Sequence, residues 1–177
     1  GEALFVGGAI LEGELFLDHA ERGLFLMLDR MESPHCVVGD GFAVLLDGDE
    51  IRKVIHQTGF DEESRKKHNL NVGYMASLLE SQGNVVIVSL ISPYADIRNE
   101  IRGMCKKFVE VHVSTDIKVC IERDPKGLYA KAIAGEIKDF TGISAPYYAP
   151  ENPEVLLDTA IVSIANCTDK IFKAANK

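Results

Sequence analysis

Tryptophan is absent from the 177 residues, cysteine occurs only four times, and aromatic residues make up 7%. No apolar run reaches the ~18 residues that a membrane span requires, so no transmembrane segment is predicted. Cys36, Cys105, Cys120 and Cys167 lie far apart, without the close spacing of zinc sites or redox pairs. We expect these thiols to be buried as small hydrophobic groups in a protein of the reducing cytoplasm.

Basic residues are scarce in the first 50 positions, which hold 11 acidic and two basic side chains. The whole chain has a net charge of −8 at pH 7, and its basic residues form local clusters in the second part. This distribution argues against a general nucleic-acid binder and suits the binding of a small anion.

No repeat, low-complexity stretch or linker divides the chain, so a single domain over residues 1–177 is predicted. Apolar β-rich runs alternate with helical patterns, which favours an α/β fold with a parallel β-sheet flanked by helices. The predicted strands are Phe42–Asp47, Asn84–Ile91 and Phe108–Ser114. The predicted helices lie around Val72–Leu79, before the stop at Gly83, and at Arg98–Lys107 and Thr159–Ala174.

A polar stretch rich in glycine and proline interrupts this alternation at about residues 124–150. Such a stretch inside a compact domain is typical of a binding loop, and we expect a mobile lid here.

Polar groups follow two of the predicted strands. Asp47-Gly48-Asp49 comes after the first and Ser92 after the second, at the sheet edge where α/β proteins bind ligands. A carboxylate in such a position can hold Mg²⁺ or accept a proton, and a nearby Arg52 can pair with phosphate or sulfate.

Five motifs occur in order along the chain. They are Leu46-Asp47-Gly48-Asp49, Ile91-Ser92-Pro93-Tyr94, Arg123-Asp124-Pro125-Lys126-Gly127-Leu128-Tyr129, Gly135-Glu136-Ile137-Lys138 with Phe140-Thr141-Gly142, and Pro150-Glu151-Asn152-Pro153. Over about residues 42–159 this arrangement resembles the adenylylsulfate (APS) kinase family, whose members phosphorylate the 3′-hydroxyl of adenosine 5′-phosphosulfate. The resemblance implies a P-loop kinase fold, ATP as co-substrate and Mg²⁺.

The resemblance also implies roles for individual residues. Asp49 would attend the attacking hydroxyl and the metal, and it is the implied catalytic residue. The implied APS-binding residues are Arg52, Phe60, Arg65, His68, Ile91, Ser92, Pro93, Tyr94, Lys138 and Phe140, with Phe140 stacking on the adenine. Arg123 and Lys126 would belong to the lid that closes over ATP.

Each of these roles has a simpler structural alternative. Arg65 begins an Arg65-Lys66-Lys67 run that is compatible with a solvated helix face, Phe140 with a core residue, and Tyr94 with a strand end. The family carries Asn-Ile-Arg-Arg where this chain has His68 and the three residues after it. His68 could form the hydrogen bond of that Asn, although a surface histidine is the simpler interpretation. The loss of both arginines makes a related 5′-activated nucleotide an alternative substrate.

The larger departure is the lack of any GxxxxGK[ST] motif, the loop that cradles nucleotide phosphates in P-loop kinases. By position, Leu15–Leu17 resembles the first strand of the family and Leu26–Met31 part of its first helix. Asp18–Phe25 would then replace the loop and retain only Gly23, although residues 1–40 match the family poorly. The alternative function is therefore a catalytically impaired, nucleotide-binding regulatory domain.

The predicted partners are small nucleotides, with neither nucleic acid nor membrane among them. The family is commonly dimeric, so the resemblance implies a homodimer or a fused, sulfurylase-type partner domain.

Overall fold

The computed structural model describes residues 2–7, 37–38, 41–56 and 59–176. The strands are β1 Glu2–Gly7, β2 Val37–Val38, β3 Gly41–Asp47, β4 Val85–Leu90, β5 Phe108–Val113 and β6 Val155–Leu157. The helices are α1 Gly48–Val54, α2 Glu62–Ser81, α3 Ala95–Met104, α4 Ile117–Arg123, α5 Leu128–Ile133 and α6 Ile164–Ala175. None of the helices in these ranges is long and apolar enough to cross a membrane.

The six strands form one sheet in the order β2-β3-β4-β1-β5-β6. Strands β3, β4, β1, β5 and β6 run parallel, and the short β2 pairs antiparallel with β3. The carboxyl ends of the five parallel strands therefore meet at one edge. The predicted parallel α/β fold is confirmed, and the three predicted strands correspond to β3, β4 and β5.

Both faces of the sheet are covered, as the continuous apolar run of β4 predicts. Val86 and Val88 face a core that contains Val72 of α2 and Ile101 of α3. Ile87, which points the opposite way, belongs to a second core with residues of β5, β6 and helices α4 to α6. Alternation along a strand thus sends neighbouring side chains into different cores.

Helix α2 begins where Asp61 caps it, accepting a 3.0 Å hydrogen bond from the backbone N–H of Ser64. It ends just before Gly83, whose φ of +91° suits glycine and stops the helix as predicted. Helix α3 lies close to α2, because a β-carbon on Gly73 would come within 2.6 Å of Ile101. The predicted helices are confirmed, with α3 starting three residues earlier and α6 five residues later than expected.

The central strand is the main correction to the sequence analysis. Strand β1 occupies the middle of the sheet at Glu2–Gly7, so the assignment of the first strand to Leu15–Leu17 is wrong. Strand β1 contains only four consecutive apolar residues, which are too few to distinguish it in the sequence from other short apolar runs. Leu15–Leu17, Asp18–Phe25 with Gly23, and Leu26–Met31 all lie outside the described residues.

Candidate active site at the carboxyl edge of the sheet

The Asp47-Gly48-Asp49 turn joins β3 directly to α1. Asp47 caps the helix, accepting a 2.8 Å hydrogen bond from the N–H of Glu50. Gly48 is buried against the end of β4, where an added β-carbon would lie 2.3 Å from Leu90 Cδ2 and 3.2 Å from the carbonyl oxygen of Ser89. Glycine lets the turn approach β4 this closely, and Asp49 is left exposed at the first turn of α1.

Arg52 and Phe60 form a cation–π pair beyond this turn. The guanidinium carbon of Arg52 lies 4.7 Å from the ring centroid of Phe60, and Nη1 donates a 2.8 Å hydrogen bond to the carbonyl of Gly59. The Phe60 ring is 48% exposed, so one aromatic surface remains open to a ligand beside a fixed cation.

His68 lies beneath the same turn, and the interpretation of it as a surface residue is wrong. The side chain is 1% exposed, and an added β-carbon on Gly48 would lie 3.5 Å from its Nε2. Neither ring nitrogen makes a hydrogen bond of ordinary geometry. Burial, with a smaller contribution from the charge of Arg52, lowers the pKa of His68 to about 4. The imidazole is therefore neutral at physiological pH.

The Ile91-Ser92-Pro93-Tyr94 segment turns the chain from β4 into α3. Ser92 is buried, and its backbone lies in the left-handed region at φ +46°. This conformation costs a non-glycine residue roughly 1–2 kcal/mol. Asn69 Nδ2 lies 3.4 Å from the Ser92 hydroxyl and joins this turn to α2. Tyr94 is the N-cap residue of α3 and is 4% exposed, although its side chain makes no capping hydrogen bond.

Arg65 links α2 to the second half of the predicted lid. It is 5% exposed, which contradicts the solvated-face alternative. Its Nε donates to the carbonyl oxygen of Phe60, Nη1 to the hydroxyl of Thr141 and Nη2 to the carbonyl of Asp139. In this conformation the guanidinium holds protein groups on all three nitrogens.

Phe140 belongs to the core. It is 1% exposed, and its ring packs edge-to-face against Tyr129 with the centroids 5.1 Å apart. A ring buried in this way presents no face to an adenine, so the core alternative describes Phe140 in this structure.

The predicted lid contains the short helix α5 and the turn that precedes it. Both carboxylate oxygens of Asp124 accept hydrogen bonds, from the N–H groups of Tyr129 at 3.0 Å and Ala130 at 2.9 Å. Gly127 adopts φ +66°, which fits a glycine at the turn into the helix. The Arg-Asp-Pro-Lys-Gly-Leu-Tyr motif thus has a local structural role as a capped turn.

The lid cations are dispersed. Arg123 donates two 3.1 Å hydrogen bonds to Thr159, one to its hydroxyl and one to its carbonyl oxygen. Lys126 and Lys138 are exposed. In contrast, described contacts connect α1, the start of α2, the Ser92 turn and residues 139–141 to one another.

A buried ion-pair network next to the Ser92 turn escaped the sequence analysis. Arg98 Nε lies 2.8 Å from Glu110 Oε1, and Arg102 pairs with Glu110 at 3.1 Å and with Glu154 at 2.6 Å. Arg98 and Arg102 are one helical turn apart, which places them on one face. Their partners on β5 and before β6 are not predictable from local sequence.

No cluster of three or more potential metal-ligating side chains occurs in the described part of the chain. The cysteines there, Cys105, Cys120 and Cys167, are free thiols, and burial raises the pKa of each of them. The predicted burial holds for Cys120 and Cys167, whereas Cys105 is half-buried and Cys36 lies outside the described residues.

Comparisons with known proteins agree with the geometry. A family model described as adenylylsulphate kinase matches residues 37–158. The adenylyl-sulfate kinase of Rippkaea orientalis is 47% identical over 135 residues, covering 75% of each chain. A protein of Sorangium cellulosum named probable bifunctional SAT/APS kinase 2 is 50% identical over 116 residues, which cover 65% of this chain and 20% of that protein.

The fold has a solved counterpart along its whole length. The structure of the Mycobacterium tuberculosis APS kinase in complex with AMPPNP and APS superimposes with a TM-score of 0.84 and 32% identity, covering 100% of this chain and 98% of that one. The sheet, the turns at its carboxyl edge and the sequence similarity thus lead to one assignment: the chain belongs to the adenylylsulfate kinase family.

Proposed function

We propose that this protein transfers the γ-phosphoryl group of ATP to the 3′-hydroxyl of APS. The observation that supports this function best is the chain of contacts at the carboxyl edge. Gly48 packs against Ser89 and His68, and Arg65 joins α2 to residues 139–141. The segments that resemble the APS-binding segments of the family are thereby brought together at the carboxyl edge of the sheet.

In the proposed reaction Asp49 acts on the acceptor hydroxyl. Its exposed carboxylate at the start of α1 can accept the proton of the 3′-hydroxyl as the oxygen attacks phosphorus. The bond from the γ-phosphorus to the β,γ-bridging oxygen breaks, and ADP leaves. Mg²⁺ in nucleotide sites is held by one or two carboxylates together with phosphates and water, which suits Asp49, and it supplies charge neutralisation.

Recognition of APS is proposed for Arg52, Phe60, Lys138 and the Ser92–Tyr94 turn. Arg52 offers a cation to the phosphate or sulfate, and the half-exposed ring of Phe60 offers a stacking surface for the adenine. Because Phe140 is buried, Phe60 is the better placed of the two rings in this conformation.

A second candidate function is APS binding without efficient phosphoryl transfer. No GxxxxGK[ST] motif occurs in the sequence, and residues 8–21, which follow the central strand, contain four acidic residues but no lysine or arginine. A P-loop depends on clustered N–H donors and a lysine beside the β- and γ-phosphates. Arg22 is the first cation of the chain, and Arg123 on the lid is held by Thr159.

Calorimetry with APS and with Mg-AMPPNP, each titrated separately, distinguishes the two functions. The kinase binds both nucleotides, and with Mg-ATP it forms 3′-phosphoadenosine 5′-phosphosulfate. A protein with the second candidate function binds APS, binds Mg-AMPPNP far more weakly and forms little or no product. Binding of neither nucleotide would contradict both proposals, and preference for another 5′-activated nucleotide would change the substrate.

A matched pair of variants ties the APS signal to this site. Arg52→Gln removes the cation beside Phe60 and should weaken APS binding by about tenfold or more. Lys53→Gln removes a cation from the adjacent, exposed position, where Lys53 pairs with Glu50 at the surface. Equal affinities of the two variants for APS would exclude Arg52 from the site.

We also propose a partner domain and a cellular compartment for this protein. The bifunctional relative supports a fused, sulfurylase-type domain as a partner, and a homodimer is the alternative. The free thiols of Cys105, Cys120 and Cys167 suit the reducing cytoplasm.

A further inference from the structure

We infer that Arg98 is a positioning residue that fixes the Ser92 turn and attaches the end of the predicted lid to it. Its three guanidinium nitrogens reach three different parts of the fold. Nη1 donates a 2.7 Å hydrogen bond to the carbonyl of Ser92, and Nη2 donates a 2.8 Å bond to the carbonyl of Tyr148. Nε lies 2.8 Å from the Glu110 carboxylate on β5.

The first of these contacts acts on a strained residue. Ser92 holds φ +46° at a position where serine has no intrinsic preference for the left-handed region. Its carbonyl accepts from Arg98, and its hydroxyl is within reach of Asn69. These contacts from both sides hold the conformation that directs the chain from β4 into Pro93 and α3.

The second contact joins the turn to the end of the predicted lid. The N–H of Tyr148 donates a 2.9 Å hydrogen bond to the carbonyl of Pro93, while the Tyr148 carbonyl accepts from Arg98. Arg65 holds the other end of this segment at Asp139 and Thr141. Residues 139–148 are therefore attached to the proposed substrate side at both ends.

The third contact makes a buried cation tolerable. The Arg98 side chain is 7% exposed and that of Glu110 is 11% exposed, so Arg98 would carry an uncompensated buried charge without Glu110. Glu110 also faces Arg102, and Glu154 accepts from the backbone N–H of Glu110 at 2.7 Å. The two arginines and two carboxylates balance in charge and hold Arg98 in one orientation.

Arginine is required for this role because its planar guanidinium presents donors in a fixed fork. A lysine has a single nitrogen, which cannot lie within hydrogen-bond distance of Ser92, Tyr148 and Glu110 in their present positions. Arg98→Lys thus keeps the charge beside Glu110 and removes the bridging geometry.

The matched control is Arg102→Lys. Arg102 shares the Glu110 carboxylate but makes no described contact with Ser92 or Tyr148. Both variants perturb the same ion-pair network, and only Arg98→Lys separates the Ser92 turn from the end of the predicted lid. A purely structural role for Arg98 would make the two variants behave alike.

Hydrogen exchange of the ligand-free protein measures the attachment directly. In Arg98→Lys, we expect amide exchange at Tyr148 to accelerate about tenfold or more relative to the unsubstituted chain and to Arg102→Lys. Exchange in β4 should remain unchanged. Equal exchange at Tyr148 in all three proteins would overturn the inference, as would equal acceleration in both variants.

APS affinity measures the consequence and depends on the proposed function. Arg98→Lys should weaken APS binding by about tenfold to a hundredfold, and Arg102→Lys should change it less than about threefold. If the unsubstituted chain fails to bind APS, the proposed function is wrong while the exchange experiment still decides the role of Arg98.

A second substitution keeps the inference testable if Arg98→Lys folds poorly. Glu110→Gln leaves the guanidinium in place but removes its counter-charge, so Tyr148 should exchange at a rate between those of the unsubstituted chain and a chain without the bridge. Unchanged Tyr148 exchange in Glu110→Gln would contradict the inference.

Discussion

Arg65 Nη1 donates a hydrogen bond to the hydroxyl of Thr141, 76 residues further along the chain, while Nη2 donates to the carbonyl of Asp139. This buried contact is the described attachment of the 139–141 segment to α2. The family resemblance implies an anion-binding role for the same arginine, whereas in this structure each of its three nitrogens donates to a protein oxygen.

Replacement of Arg65 should therefore affect stability first. Arg65→Met leaves the Phe60 and Asp139 carbonyls and the Thr141 hydroxyl without their donor, so the free energy of unfolding should fall by about 2–4 kcal/mol. Urea unfolding measures this change. Lys67→Met removes an exposed cation from the same helix and should shift the free energy by less than about 0.5 kcal/mol. A fully stable Arg65→Met protein would show that these hydrogen bonds contribute little.

Substitution of Phe140 and substitution of Phe60, the two candidate stacking residues, should have opposite effects on stability and on APS binding. Phe140→Ala opens a cavity against Tyr129 and should lower the free energy of unfolding by about 3–5 kcal/mol. Phe60→Ala removes a half-exposed ring, so it should cost little stability but weaken APS binding by about tenfold to a hundredfold. Thermal unfolding and APS calorimetry on both variants show which of the two rings contacts APS. Loss of APS binding without loss of stability in Phe140→Ala would restore the stacking role implied by the resemblance.

Sequence patterns predicted the parts of the fold that have long periodic signals. Val85–Leu90 is a buried parallel strand with nearly continuous apolar residues, and α2 shows both its helical spacing and its glycine stop. Strands β1 and β6 were missed because their apolar runs are short, four residues within Glu2–Gly7 and three in Val155–Leu157, and their pairing partners lie far away in sequence. Pairing with neighbours in the sheet, rather than local propensity, makes these segments strands.

The candidate site divides in a similar way. Motifs placed Asp49 and Ser92 correctly at the carboxyl ends of neighbouring strands, because that edge follows from the parallel order alone. Burial could not be predicted for Arg65 or His68, whose surroundings come from segments distant in sequence. Charged and polar residues are mostly exposed in proteins, but tertiary contacts bury the side chains at these positions.

Burial of His68 predicts a loss of stability in mild acid. Its pKa is about 4 in the folded chain against an ordinary 6.5, so between these values the unfolded chain binds a proton that the folded chain does not. The contribution is fully present above pH 6.5 and is lost as the pH falls towards 4, by about 3 kcal/mol in total. His112, whose pKa is lowered by burial and by the nearby Arg98 charge, acts in the same direction.

Urea unfolding between pH 4 and 7 checks this prediction. His68→Asn removes the titrating group, so the difference in stability between the unsubstituted chain and the variant should change across that range. A His68→Asn curve parallel to that of the unsubstituted chain would show that His68 is protonated in the folded state as readily as in the unfolded state.

Asp49 and Glu50 are adjacent exposed carboxylates in the first turn of α1, and the proposed mechanism uses only the first. Asp49→Asn keeps the shape of the side chain but removes the charge that accepts the hydroxyl proton. With Mg-ATP and APS, formation of the 3′-phosphorylated product should fall about 10²- to 10⁴-fold, while APS binding is largely retained. Glu50→Gln, which breaks only the surface pair with Lys53, should keep the product rate within about threefold. Equal rates for Asp49→Asn and the unsubstituted chain would remove Asp49 from the reaction, whereas an unsubstituted chain that binds APS but forms no product would support the second candidate function and leave the missing P-loop as the cause.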